Sequence, residues 1–274
     1  MKNKFLQKAL AWQPHTQMLA SVLAVVALHT ATPAWAKSPL PPAAVAQVQV
    51  RVQVQAAPQQ PLPIPSHLFT LSHPIGQQRL LDSSYRQAYF PLATYFETQR
   101  NQAYCSVATS VIVLNAMELP RPASALYPDF PFFTQDNFFD GIDARIAQPE
   151  VVAKEGMTLD QLSTVLSHHA VTVQKIPGDT LELPAFRELL KTHLRESNRF
   201  VLLNFNRRLI GQKGGGHWSP LAAYHAASDS ALLMDVARYK YPPVWVPLAD
   251  LLAAAQDPDS VSNQPRGVVV VSPR

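Results

Sequence analysis

Apolar positions gather first in residues 105–118 (CSVATSVIVLNAME), a stretch with no Gly or Pro that is apolar on nearly every helical face. The pattern predicts a buried helix that opens at Cys105 and is stopped by Pro120 and Pro122. Thr158-Leu-Asp-Gln161 has the T-x-x-Q form of a capping box and predicts a helix running to about His169. A strand is expected over residues 171–176 and an amphipathic helix, with Pro at its start, over residues 184–198. Beyond it, residues 200–205, 217–226, 231–237 and 267–272 are apolar runs separated by turn residues, the pattern of strands. Helices first and strands later predict an α+β domain, since a doubly wound α/β sheet would alternate the two.

The amino-terminal quarter has a different character. Lys2, Lys4 and Lys8 precede an apolar run over residues 19–28, and Ala34-Trp35-Ala36 follows as a small-x-small cleavage site. This is the three-part layout of a signal peptide spanning residues 1–36, cleaved after Ala36, so the mature protein is expected to be exported to the periplasm or secreted. The apolar run is about half of the roughly 20 residues a bilayer span takes, so no stable membrane span is expected after cleavage. Residues 37–65 hold seven prolines and no acid and read as a linker. Within them residues 48–55 (VQVRVQVQ) alternate with a strand's period. The folded unit is expected over residues 66–274.

Charge and cysteine content narrow the function. The chain of 274 residues carries a formal charge of +4, from 23 basic and 19 acidic residues. Removing the three leader lysines leaves 20 bases against 19 acids, so the basic balance belongs to the leader and no nucleic-acid partner is expected. One Cys excludes an internal disulfide and a Cys-rich metal site. An unpaired Cys in an exported chain points instead to chemistry.

Cys105 at the first turn of a buried helix faces unpaired backbone N–H groups and the helix dipole, which stabilise a thiolate. The competing reading is a small buried hydrophobe. A thiol nucleophile needs a base, and the base needs an orienting group. His217 stands out among nine histidines because it follows Gly214-Gly215-Gly216, where missing side chains leave room for a substrate backbone. Asp235 lies in an apolar run that a hairpin would set against His217; its competing partners are Arg238 and Lys240. Gln99 or Gln102, with the Cys105 backbone N–H, are candidate donors to the oxyanion of an acyl transfer. Adjacent His168 and His169 point about 100° apart on a helix, so no metal site is expected there.

The stretch QRNQAYCSVATSVIVLNAM (99–117), GHWSP (216–220) and DVARYKYPPVWV (235–246) resemble the phytochelatin synthases, a family with a papain-like cysteine peptidase fold. The resemblance covers roughly residue 66 onward. It implies Cys105 as nucleophile, His217 as general acid/base, Asp235 as its orienter and Gln99 as the oxyanion residue. It also implies a pocket for the γ-glutamyl-cysteinyl group from Asn204, Gly216, Asp259 and Arg266, the last two otherwise read as an exposed loop pair. Arg238 and Lys240 would hold carboxylates of an acceptor glutathione. Two departures stand out: Ser106 replaces the family's usual Gly, and the Cys-rich C-terminal region of eukaryotic members has no counterpart in this sequence.

By resemblance the expected activity is glutathione γ-glutamylcysteinyl transfer through a Cys105 thioester. Glycine is released, hydrolysis to γ-Glu-Cys dominates, and transfer to a second glutathione gives phytochelatin, in heavy-metal response or glutathione turnover. Cd²⁺ or Zn²⁺ is expected to act through glutathione thiolate complexes, no covalently bound cofactor is expected, and relatives imply a homodimer. The rival readings are a papain-like peptidase or amidase on another peptide, and an inactive module that binds glutathione or metal thiolates.

Overall fold

The computed structural model describes residues 62–274. The leader, the 48–55 alternation and most of the linker lie outside the described residues. The elements run β1 (Phe69–Thr70), α1 (Pro74–Asp82), α2 (Tyr89–Thr94), α3 (Cys105–Ala116), α4 (Pro149–Glu155), α5 (Leu159–Leu166), β2 (Val171–Pro177), α6 (Leu183–His193), β3 (Phe200–Asn206), β4 (Gly216–His225), β5 (Ser230–Leu233), β6 (Val244–Pro247), α7 (Leu248–Gln256) and β7 (Gly267–Pro273). All seven strands form one antiparallel sheet in the order β1-β6-β5-β4-β3-β7-β2. The α+β expectation holds, with helices and antiparallel strands largely segregated along the chain.

The sheet's centre is covered on both faces, because β3 and β4 are buried along nearly their whole length. That is why FVLLNFN reads as a continuous apolar run rather than an alternation. α3 packs across β4, and α7 against β3 and β6. Every residue of α3 is buried, and most of its polar side chains are satisfied internally, Ser106 Oγ being the exception among the described residues. Ser110 Oγ donates to the Ser106 carbonyl at 2.8 Å, Thr109 Oγ1 to the Trp218 carbonyl at 3.3 Å, and Asn115 exchanges two hydrogen bonds with the Phe133 backbone. The Thr109 bond ties the helix that begins at Cys105 to the strand that begins beside His217.

Several element boundaries differ from expectation for local reasons. α3 ends at Ala116 rather than 118, because Glu118 takes a left-handed φ of 55°. The capping box of Thr158 and Gln161 forms, but α5 ends at Leu166 and a tighter turn carries His168 and His169, whose N–H groups bond Val165 and Leu166. α6 spans Leu183–His193 and stops five residues short of Asn198. β5 ends at Leu233, so Asp235 is not a strand residue: its Oδ1 accepts the Ala237 N–H at 2.8 Å and folds the chain into a turn instead. Four helices (α1, α2, α4, α7) and two strands (β1, β6) were not anticipated. Contacts also begin before Ser66, since the Leu62 N–H donates to the Lys240 carbonyl at 3.3 Å.

Candidate active site

Cys105, His217, Asn204, Gly216, Asp259 and Arg266 line one cavity of about 250 Å³, with Gln102, Lys154 and Glu155 at its rim. Cys105 is the first residue of α3, so its N–H lies among the donors that the helix leaves unpaired. His217 enters from β4, opposite Phe205 of β3, and the Phe205 ring meets the imidazole edge-on at 5.6 Å. Its Nε2 lies 2.9 Å from Asp235 Oδ1. A carboxylate only accepts, so Nε2 carries the proton and a neutral imidazole presents the lone pair of Nδ1 for base chemistry. The turn at Asp235 is held against β4 by the Val236 N–H on Ser219 Oγ at 3.3 Å, and against Gln99 by the Gln99 N–H on the Val236 carbonyl at 3.0 Å.

The ion partner of Asp235 is neither Arg238 nor Lys240. Arg207, in the 3₁₀ turn after β3, donates through both terminal nitrogens to the two carboxylate oxygens at 2.6 and 2.8 Å, with both residues buried. Sequence reading missed Arg207, because it lies 28 residues from Asp235 and looks like one of two adjacent surface arginines. The glycine triplet carried a signal for Arg207 as well. Gly214 has a φ of 127° and a Cβ there would fall 2.9 Å from Arg207 Cδ; a Cβ on Gly216 would fall 2.5 Å from Arg266 Nη1. Two of these glycines make room for buried arginines, and Gly216 also lines the cavity.

Electrostatics place the protons. Burial pushes the Asp235 carboxyl up, but His217 and then Arg207 outweigh it and hold the group well below the usual carboxylate range. Burial, reinforced by Arg207, lowers His217 to about 4 against the pull of Asp235. Burial pushes the Cys105 thiol up, and the backbone N–H groups of Trp218 and Ser106 and the Arg207 charge only partly offset it. The helix start was expected to favour a thiolate; burial wins, because a desolvated thiolate loses more than one helix end returns. Both shifts favour the uncharged forms of the thiol and the imidazole.

The remaining predicted residues divide. Arg266 Nη1 donates to Asn204 Oδ1 at 3.1 Å and to Asp259 Oδ2 at 2.6 Å. All three are buried, so the reading of Asp259 and Arg266 as an exposed loop pair fails. Arg266 Nε and Asn204 Nδ2 are buried without a partner among the described residues. Gln99 is buried, but its Nε2 donates to the Asn101 carbonyl at 2.7 Å and to the Tyr239 hydroxyl at 2.9 Å. Lys240 Nζ reaches Gln102 Oε1 at 3.4 Å on the cavity rim. Arg238 turns away, its guanidinium 5.4 Å from the centre of the Phe96 ring. His168 is exposed and bonds the Thr164 carbonyl, while His169 stacks on Phe138, so the two rings do not converge.

A lone thiol at a helix start, with an imidazole held by a buried carboxylate in the same cavity, is the set of groups that acyl transfer through a cysteine nucleophile uses. Comparison with known proteins narrows that class. The family model for phytochelatin synthase matches residues 59–268, and the chain belongs to that family. It is 33% identical over 189 residues to glutathione gamma-glutamylcysteinyltransferase 1 of Triticum aestivum, covering 69% of this chain and 36% of the relative. With glutathione gamma-glutamylcysteinyltransferase 3 of Lotus japonicus the identity is 29% over 187 residues, covering 68% and 38%. The Schizosaccharomyces pombe enzyme of that name is 28% identical over 196 residues, covering 71% and 46%. The chain thus spans less than half the length of these curated relatives.

Proposed function

We propose that this protein is a papain-like cysteine acyltransferase that removes glycine from glutathione. The observation that carries the reading is the shared cavity: Cys105 and His217 sit beside Asn204, Asp259 and Arg266, whose buried Nε and Nδ2 groups want an acceptor. The α-carboxylate of a γ-glutamyl group supplies one for Arg266 Nε, and its ammonium a charge partner for Asp259. The names of the relatives support this substrate.

The steps follow from the proton positions. His217 Nδ1 takes the Cys105 proton as sulfur attacks the Cys-Gly carbonyl of glutathione. The tetrahedral intermediate collapses, the C–N bond breaks, and His217 returns that proton to the leaving glycine nitrogen. A γ-glutamyl-cysteinyl thioester remains. Water, deprotonated by His217, attacks it to give γ-Glu-Cys and the free thiol; attack by the amino group of a second glutathione gives the shortest phytochelatin. Hydrolysis is the larger flux in this reading. In this reading Lys240, which bonds Gln102 at the rim, meets an acceptor carboxylate, and Arg238 would have to leave Phe96 to join it. Cd²⁺ or Zn²⁺ enters as part of a glutathione thiolate substrate, and the site operates after export, in a homodimer.

The test is a product assay: protein from Lys37 onward with millimolar glutathione, with and without Cd²⁺, resolved by mass spectrometry. Glycine and γ-Glu-Cys, with a thioester adduct on Cys105, are expected. Glycine release by Cys105→Ala at the wild-type rate would overturn the scheme, and turnover of peptides that lack a γ-glutamyl group would move the substrate class.

A further inference from the structure

The cavity that holds Cys105 has a neighbour on its Asp259 side. This second cavity, of about 200 Å³ against about 250 Å³ for the first, shares five walls with it: Glu155, Gly156, Met157, Asp259 and Val261. Gly156, which takes a φ of 76° where α4 ends, contributes no side chain to the junction, and Val261 is an exposed apolar residue whose N–H bonds Asp259 Oδ1 at 2.9 Å. Beyond the junction the walls are apolar, from Ile146 and Ala147 to Val151 and Val152. Thr158 and Gln161 also line this space, but each spends its side-chain oxygen on the other's backbone N–H in the capping box.

The chemistry of the transfer step says what reaches that junction. With the γ-glutamyl α-carboxylate at Arg266, the α-amino nitrogen lies at Asp259, and this nitrogen is the atom that carries the next γ-glutamyl-cysteinyl group once phytochelatin forms. Asp259 does not depend on a positive charge there. Its Oδ2 already accepts from Arg266 Nη1 at 2.6 Å, and its Oδ1 from the Val261 and Ser262 N–H groups at 2.9 and 3.1 Å, so an uncharged amide N–H in place of the ammonium leaves no buried carboxylate bare. The first residue beyond that amide is a cysteinyl group, whose methylene and thiol suit apolar walls. Its charged γ-glutamyl head then falls beside the exposed Gln148 and Glu155, the polar part of the same cavity.

We propose that the second cavity receives the preceding γ-glutamyl-cysteinyl unit of a phytochelatin, so that the protein removes glycine from (γ-Glu-Cys)₂-Gly as well as from glutathione. The inference rests on the glutathione reading above. The Cys105 sulfur attacks the carboxy-terminal Cys-Gly carbonyl, that C–N bond breaks, and His217 returns the thiol proton to the glycine nitrogen. The (γ-Glu-Cys)₂ group stays on Cys105 as a thioester until water, deprotonated by His217, releases it as the acid. One site thus both forms the longer peptide and trims it.

The test gives the full chain glutathione, (γ-Glu-Cys)₂-Gly and S-hexylglutathione in parallel, and reads glycine and the acyl-enzyme mass. Val151, 43% exposed, lines the second cavity and not the first, as does Ala147, so Val151→Trp and Ala147→Leu fill it from its own walls. Wild type is expected to release glycine from glutathione and from the longer peptide, with a thioester of the matching mass on Cys105 in each case. Both variants should lower kcat/KM for the longer peptide by about tenfold or more and leave that for glutathione as in wild type. Glycine from glutathione but none from the longer peptide in wild type would overturn the proposal. So would an equal loss on the two peptides in both variants, or a loss confined to S-hexylglutathione, which would give the cavity to a group on sulfur. Failure of the glutathione reading shows differently: wild type would release glycine from none of the three while p-nitrophenyl acetate still acylated Cys105, and this inference would fall with it.

Discussion

Replacing Arg207 with Met tests the electrostatic frame of the site at its most buried point. Arg207 is 2% exposed, Asp235 is not exposed at all, and the two share two hydrogen bonds. Met fills much of the guanidinium's volume and supplies neither charge nor donors. Asp235 would keep His217 Nε2 and the Ala237 N–H, but its second oxygen would be buried without a partner, and so would Gln212 Oε1, which Arg207 Nη1 also bonds. Removing one partner of a buried ion pair costs about 3–5 kcal/mol. For a domain of this size each kcal/mol moves the melting temperature by about 2–4 °C, so a fall of roughly 6–20 °C is expected by circular dichroism. Asp235→Asn alone should also be strongly destabilising, because it leaves Arg207 as a buried cation with a neutral partner. The double variant should lose much less than the sum of the two single losses. Equilibrium denaturation of the four proteins of this cycle measures the coupling. A single-variant loss under about 1 kcal/mol, or strict additivity, would refute the claim that Arg207 holds the Asp235 carboxylate.

Three further outcomes are expected. The rate of Cys105 alkylation by iodoacetamide should rise with pH into the alkaline range beyond the ordinary thiol value, since burial raises the thiol; a plateau already reached at about pH 5 would reveal a preformed thiolate–imidazolium pair instead. Burial lowers His169 to about 4, with His168 adding to the shift, against 6.5 for an unperturbed histidine. Its neutral ring therefore stabilises the fold above about pH 6.5, and that contribution is lost as pH falls through about 4. His169→Phe should remove this part of the acid destabilisation, and an unchanged pH–stability curve in that variant would refute it. In Gly216→Ala the new Cβ meets Arg266 Nη1 at 2.5 Å and Cζ and Nη2 at 2.9 Å, so the guanidinium must leave Asn204 and Asp259. The KM for glutathione should rise at least tenfold, with stability lower by about 1–3 kcal/mol and p-nitrophenyl acetate still acylating Cys105; an unchanged KM would detach Arg266 from substrate binding.

What the sequence made legible is what local pattern encodes. Residues 105–116 are apolar on nearly every face and have no breaker, so a buried helix was readable to within two residues. The capping box at Thr158 is a contact between residues three apart, and it formed as expected. β6 was missed because Pro242, Pro243 and Pro247 crowd a four-residue strand that pairs on both sides all the same. Asp235 was placed on a strand because its neighbours are apolar; its own side chain, by accepting the Ala237 N–H, bends the chain away from the sheet. Arg207 could not be found from local pattern, since its partners lie 5 and 28 residues away and charge alone marks it as a surface residue.

The two buried arginines explain why the catalytic and the substrate-holding halves of the cavity are joined at the glycine triplet. Arg207 presses against Gly214 and Arg266 against Gly216, two residues apart, and the strand that starts at Gly216 delivers His217 next. Asn204 and Arg207 leave the same end of β3, one bonding Arg266 and the other Asp235. The Arg266 guanidinium lies against the residue beside His217, on a segment that the Arg207 N–H holds through the Gly215 carbonyl at 3.0 Å. A γ-glutamyl carboxylate bound at Arg266 would thus set the position of the imidazole as well as that of the substrate. The kinetic consequence is that a ligand offering only the γ-glutamyl end, such as γ-Glu-Cys, should change the rate at which p-nitrophenyl acetate acylates Cys105, in wild type and not in Gly216→Ala.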